Sequence, residues 1–207
     1  MKHYVYASLL SSWALTASAQ TPADALPVRK LPVSFGLRLG LNQSNTNFNQ
    51  GEPKPAVPVE TTWKTGFVVG ALVQVDLTQK LALQQEYLLG QQGGEVSSTN
   101  TRYRLRYLSL PLLLKYRVVP RLALVAGPQF DLLLDARQET AGQTADITHD
   151  TEERGLGATA GLEVQLWRGL SLSARYLQGL NHVGIGQRSA VQEFKWQSAQ
   201  LAAEVRF

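Results

Sequence analysis

The sequence predicts an all-β fold, an eight-stranded antiparallel up-and-down transmembrane β-barrel. Three observations predict it. Apolar and polar residues alternate through segments of ten or more residues. The connections between those segments are long and short by turns. The last segment, Gln197 to Phe207, is itself amphipathic and ends on an aromatic. Successive side chains of a strand point to opposite faces, so a period of two makes one apolar and one polar face. A sheet in lipid must close on itself, because a free edge leaves backbone groups without hydrogen-bond partners.

Composition suits this fold. The chain has 207 residues, enough for one barrel domain. Charged residues make up 17%, below the usual ~25%. There is no cysteine, which excludes a disulfide framework, a thiolate metal site and a lipidated cysteine. Residues 1–19 read as a signal peptide: Lys2 is the charged start, Tyr4 to Leu15 the apolar core, and Ala17-Ser18-Ala19 the cleavage motif. That core is too short to span a bilayer, which takes about 20 residues. Residues 20–30 are polar and contain proline, a periplasmic lead-in, and the barrel domain occupies 31–207. No later run reaches about 18 apolar residues, so no transmembrane helix is expected. The net charge of +4 does not argue for nucleic acid in an exported chain.

The first strand runs from about Leu31 to Gln43. Val33, Phe35, Leu37, Leu39 and Leu41 face one way, and Ser34, Gly36, Arg38, Gly40 and Asn42 the other. A long loop, 44–60, follows, with Pro53, Pro55 and Pro58. The second strand, Trp63 to Val75, sets Phe67, Val69, Ala71, Val73 and Val75 against Gly66, Val68, Gly70, Leu72 and Gln74. After a turn at 76–80, the third strand runs from Leu81 to Gln91. Leu81, Leu83, Tyr87 and Leu89 point out, and Ala82, Gln84, Glu86 and Gly90 in. Residues 92–100 form the second loop.

The fourth strand, Arg102 to Arg117, turns Leu108, Leu110, Leu112, Leu114 and Tyr116 outward. Its inner face is Tyr107, Ser109, Pro111, Leu113, Lys115 and Arg117. Pro111 cannot donate to a ladder, and a local bulge would accommodate it. Arg102, Arg104 and Arg106 share the outward parity. Either they stand above the hydrocarbon or a bulge switches their face. A turn at 118–121 leads to the fifth strand, Leu122 to Ala136, with Leu122, Leu124, Ala126, Pro128, Phe130, Leu132 and Leu134 out and Gly127, Gln129, Asp131 and Asp135 in. The third loop is 137–153. In the sixth strand, Arg154 to Trp167, Leu156, Ala158, Ala160, Leu162, Val164 and Leu166 oppose Gly155, Gly157, Thr159, Gly161, Glu163 and Gln165. Arg168-Gly169 is a two-residue hairpin. In the seventh strand, from Leu170, Leu172, Ala174 and Tyr176 oppose Ser171, Ser173 and Arg175. The fourth loop is 182–194, and Gln197 to Phe207 closes the barrel.

Short turns and longer loops on opposite ends are the asymmetry of outer-membrane barrels, whose turns are periplasmic and whose loops are extracellular. Tyr116, Trp167 and Phe207 fall at the turn end. Trp63, Tyr87, Tyr103, Phe130, Tyr176 and Trp196 fall nearer the loop end. These are the expected aromatic girdles. The polar parity holds Arg38, Glu86, Lys115, Asp131, Glu163, Arg175, Glu204 and Arg206. Facing lipid, each Arg or Lys near the midplane would cost ~2–4 kcal/mol. Facing inward, opposite charges pair, and the lumen glycines leave them room. An eight-stranded barrel is just wide enough for side chains to fill it, so the lumen is expected to be plugged. The soluble alternative, a lipocalin-like carrier, inverts the faces. The loop asymmetry, the terminal Phe207 and the length of the strands stand against it.

Tyr107 to Tyr116, YLSLPLLLKY, resembles the marker strand of the PorT-like outer-membrane β-barrel family, in which Tyr-Leu-x-x-Pro-Leu-Leu-Leu-Lys-Tyr is typical. RYLQGLNHVG, Arg175 to Gly184, resembles the family's Arg-Tyr-x-x-Gly-Leu segment. The resemblance covers about residues 31–207 and implies an eight-stranded outer-membrane barrel, mostly without a defined activity. One member is associated with a secretion system, which makes secretion-system proteins candidate partners.

Chemistry is sparse. Beyond the leader the histidines are His149 and His182, both in loops. His149-Asp150 supplies half of an acid–base pair, the pattern an outer-leaflet lipid-modifying enzyme would need, but no nucleophile motif surrounds it. Glu139, Asp146, Asp150, Glu152 and Glu153 make an acidic loop, to be read either as a divalent-cation site or as a solvated surface. No catalytic residue, metal site or cofactor is expected. The expected function is a non-catalytic outer-membrane barrel of structural, interaction or transport-accessory type, with a narrow passive pore as alternative. The expected partners are outer-membrane lipid and lipopolysaccharide, and the barrel-assembly machinery through the closing strand.

Overall fold

The alternating segments form strands in the computed structural model, and nearly all run further than the alternation suggested. The structure describes residues 31–50, 60–96, 101–140, 142–151, 153–185 and 192–207. The signal peptide and lead-in expected over residues 1–30 lie outside them. In chain order the strands are β1 (Val33–Asn47), β2 (Thr61–Asp76), β3 (Leu81–Val96), β4 (Thr101–Val119), β5 (Leu122–Thr140), β6 (Gln143–Asp146), β7 (Arg154–Trp167), β8 (Leu170–Gly179), β9 (Val183–Ile185) and β10 (Gln192–Arg206). Eight of them, β1, β2, β3, β4, β5, β7, β8 and β10, pair antiparallel in that order, and β1 pairs β10 to close the barrel. β6 extends the sheet from β5, and β9 folds onto the start of β10.

The four expected loops shrink as the strands lengthen. β3 and β4 pair as far as Val96 opposite Thr101, so residues 92–96, expected in a loop, extend β3. β5 continues to Thr140 and returns as β6 through Gly142, whose φ of 81° suits glycine. The sequence hid these extensions because alternation above the membrane need not be apolar on either side. At the other end the expected two-residue hairpin is present, with Gly169 at a φ of 80°.

The faces follow the predicted parity. Val33, Phe35, Leu37, Leu39 and Leu41 are all more than half exposed, and Leu201 and Val205 stand beside them. So continuous an apolar exterior has no place in water, and it makes the surface a lipid-facing one. The inverted, lipocalin-like arrangement is therefore overturned.

Three local expectations change. Pro111 sits in its ladder without a bulge. The register is constant from Gln85–Leu112 to Leu88–Ser109 on one side and from Pro111–Gln129 to Leu114–Ala126 on the other. The missing N–H of Pro111 instead removes its own pairing and that of Leu110 with β3. Pro128 does the same to β5 against Leu112 and Leu113. The bulge lies in β5, between the Arg106–Asp135 and Tyr107–Leu133 pairs, and makes Leu134 the extra residue. β4 consequently keeps one parity throughout, and Arg102, Arg104 and Arg106 point outward. Asp135, expected in the lumen, is carried by the bulge to the outer face, where it meets Arg106 and Arg137 at 3.3 and 3.4 Å.

Candidate functional site

The lumen gathers the polar chemistry of the chain. Its position follows from the pleat: every strand donates alternate residues to the interior. Near the turn end four residues from four alternate strands make a closed ring. Gln74 on β2 accepts from the Lys115 ammonium on β4 at 2.9 Å. Lys115 meets the Glu163 carboxylate on β7 at 2.6 Å. Glu163 accepts from Arg206 on β10 at 2.8 Å, and Arg206 returns to Gln74 at 2.8 Å. Ser171 also accepts from Arg206.

A chain of ion pairs lies beside this ring. Arg38 and Glu204 are direct cross-strand partners at the closing seam and form a fully buried ion pair. Glu204 also accepts from Arg175 at 2.7 Å. Arg175 then crosses the lumen from β8 to β3, where Nη1 reaches both oxygens of Glu86 at 2.9 and 2.8 Å. Gln84 donates to Glu86, and Ser173 accepts from Arg38 at 2.8 Å. Gly161 makes room for this brace. A Cβ there would stand 2.8 Å from Arg175 Cγ and 2.7 Å from its Cα.

Seven of the eight expected lumen charges thus meet in one interior: Arg38, Glu86, Lys115, Glu163, Arg175, Glu204 and Arg206. Asp131 is also buried but stays apart. Its partners are the Ser109 hydroxyl and the Gln129 amide, the latter at 2.9 Å. Gln74, Ser171 and Ser173 were legible as inward-facing but not as ligands of the charges. Only the curvature of the sheet brings them within reach. Below the ring a cavity of about 300 Å³ opens toward the turns, lined in part by Asp76, Arg117 and Arg121. Arg117 donates to Asp76 at its rim at 2.6 Å.

Toward the loop end the lumen changes character. Tyr103, Leu105, Tyr107, Ala136, Val183, Phe194 and Trp196 form one buried apolar cluster. The Phe194 and Trp196 rings meet edge to face with centroids 4.8 Å apart, and Tyr107 meets Trp196 the same way at 5.9 Å. Trp196 Nε1 donates to the Tyr107 hydroxyl at 3.3 Å. The expected girdle is corrected here: Trp196, only 3% exposed, and Tyr103 face the lumen and not the lipid. Trp196 shares its parity with Ser198 and Glu204, so its inward direction follows once the strand is carried one residue further back. Trp63, Tyr87, Tyr116, Phe130, Trp167, Tyr176 and Phe207 are exposed, as a girdle requires.

The loop residues do not assemble a reactive site among the described residues. His149 lies in a short 3-10 turn, Thr148–Asp150. His182 is 3.0 Å from the Gln50 carbonyl and 3.9 Å from Glu193, in another loop. Glu139 reaches Arg102 at 3.9 Å. Asp146 accepts from the Thr148 hydroxyl and amide at 2.7 and 2.9 Å, and those bonds hold its carboxyl below the ordinary range. Glu152 lies outside the described residues. Among the described residues no three acidic or histidine side chains gather as a metal site.

Known proteins share this architecture. Neisserial surface protein A is 14% identical, matched over 85% of this chain and 99% of its own, with a TM-score of 0.54. Ail, the attachment invasion locus protein of Yersinia pestis, is 16% identical over 84% of this chain and 98% of its own, with a TM-score of 0.50. AlkL in lipid bilayers is 12% identical over 92% and 96%, also at 0.50. At such identities the likeness is one of fold. A search of the curated proteins finds no match. The family model described as outer membrane protein beta-barrel domain matches residues 18–184. The chain belongs to that family, and its place is the outer membrane of a Gram-negative bacterium.

Proposed function

We propose that this barrel acts as a structural, interaction or transport-accessory protein of the outer membrane, with a closed lumen and no catalysis. The observation that carries this reading is the ring of Gln74, Lys115, Glu163 and Arg206, with the Arg175–Glu86 brace beside it. A charge buried this way is held by its partners, and removing one leaves another stranded. Such a network resists opening. The aromatic cluster at the loop end supports the same reading, since an apolar constriction excludes ions.

Planar-bilayer recording on the purified protein tests it. No steady conductance is expected, and a steady ohmic current would replace the closed barrel with a narrow pore. Absence of catalysis has its own test: His149→Ala with His182→Ala should leave the lipid A of the cell unchanged. The resemblance of Tyr107 to Tyr116 to the PorT-like strand supports a place beside secretion components. Crosslinking in the envelope, followed by identification of the partners, reads that directly; crosslinks to abundant envelope proteins alone would remove it.

A further inference from the structure

The outer face of β4 changes chemistry in one step. Leu108, Leu110, Leu112 and Leu114 face outward, and the next outward residues are Arg106, Arg104 and Arg102. The arginine row therefore begins where the apolar band ends. The carboxylates around it are taken. Glu95 pairs with Lys64 and lies 3.5 Å from Arg102. Glu139 reaches Arg102, and Asp135 is shared between Arg106 and Arg137. Asp146 stands opposite Arg137 on β6 and is held by Thr148.

Arg104 differs from its neighbours. Among the described residues it has no ion pair. Its cross-strand partner on β5 is Arg137, and on β3 it is Gly93. Like charges directly opposite one another are destabilising unless something negative lies between them. Beside Arg104 the ladder between β2 and β3 opens, because the register shifts between Trp63 and Val68. The opening forms a groove of about 180 Å³ lined by Lys64, Arg102 and Arg104, with Gly66 and Gly93 at its walls. Three cations thus line one groove, with two glycines and the amides of Gln91 and Gln92, at the level where the apolar exterior stops.

We propose that this groove seats a phosphate of the outer-leaflet glycolipid, the phosphorylated sugar headgroup of lipopolysaccharide. The occupant follows from position and charge. The guanidiniums of Arg102 and Arg104 present forked donors that match phosphate oxygens. Glu95 holds Lys64 and Arg102 in place at the rim. A phosphate at Arg104 also relieves its opposition to Arg137. A lipid phosphate reaches this height without leaving the membrane.

The test uses the full protein in phosphatidylcholine nanodiscs doped with bis-phosphorylated lipid A, or with lipid A stripped of its phosphates. Retention of lipid A is measured against rising salt. Phosphorylated lipid A should bind at least about tenfold more tightly, and Arg102→Gln with Arg104→Gln should lose about tenfold or more of that affinity. Arg154→Gln, which removes one exposed charge outside the groove, should bind as the parent does. Equal binding of the two lipids by the unaltered protein would overturn the proposal with no variant needed. Full binding by the folded double variant, judged by its heat-shifted gel mobility, would overturn it as well. So would competition by free inorganic phosphate at matching affinity, which would mark a soluble-anion site. Conductance is untouched by these outcomes, so they do not bear on the closed lumen.

Discussion

Along β10 the inward residues run Phe194, Trp196, Ser198, Gln200, Ala202, Glu204, Arg206, from rings through neutral groups to charges. β4 repeats the gradient, from Tyr103, Leu105 and Tyr107 through Ser109 to Lys115. One lumen is therefore filled in two ways. The loop-end half needs only volume and edge-to-face ring contact, and neighbouring apolar residues substitute for one another with modest loss. The turn-end half needs opposite charges at fixed positions, because a buried charge without a partner is strongly unfavourable. Charge is thus the more exacting filler, and it sits where the chain must find its register. Arg38 opposite Glu204 pins the seam between the first and last barrel strands, and a slip of one residue there would turn one of the two charges to lipid and strand the other.

This contrast is open to test. The largest effect is expected from Glu204→Ala, which strips Arg38 of its carboxylate and leaves Arg175 with Glu86 alone. A loss of about 3–5 kcal/mol should appear in urea unfolding followed by gel mobility. If the pairs serve register more than stability, Arg38→Met with Glu204→Leu should retain most of the parent's stability. A double variant as weak as the single one would remove that distinction.

Trp196→Ala should cost about 3 kcal/mol through the cavity it leaves. Trp196→Phe, which loses the bond to Tyr107 and part of the indole volume but keeps an aromatic ring, should cost less, about 1 kcal/mol. Equal losses for the two would mean that the hydrogen bond, and not ring volume, holds the loop-end half. Gly161→Ala probes the border between brace and wall: its Cβ meets the backbone of β8, and about 1–3 kcal/mol of overpacking is expected in the same unfolding assay.

The smallest effect concerns the loop outside the membrane. The Asp146 carboxyl is depressed by its bonds to Thr148, so its contribution is complete above the ordinary carboxylate range and is lost as pH falls through and below it. The protection factor of the Ala136 amide, which donates to Thr148 Oγ1 at 2.9 Å, should fall on acidification once the slower intrinsic exchange at low pH is divided out. In Asp146→Asn the protection factor should lose that pH dependence.

Much of this was legible in the chain. The period of two assigned the leucines and valines to lipid and the eight charges to the interior, and all eight went there. Misreadings cluster where alternation stops being informative. Trp196 was assigned to a girdle because its strand was begun one residue too late. Asp135 was assigned to the lumen because a bulge in β5 leaves no mark in the alternation. The loops were overestimated because strand extensions in water carry no apolar face.

Parity is local, so the sequence by itself determined which face the residues of each regular strand occupy, the number of barrel strands and the end at which the turns lie. Partnership is a matter of distance across a curved sheet. Only closure decided that Arg175 on β8 meets Glu86 on β3 and that Gln74 joins two cations into a ring, and only the bulge in β5 set Arg104 opposite Arg137. Residues tens of positions apart acquire neighbours from the stagger and curvature of the closed sheet, and no spacing along the chain encodes those.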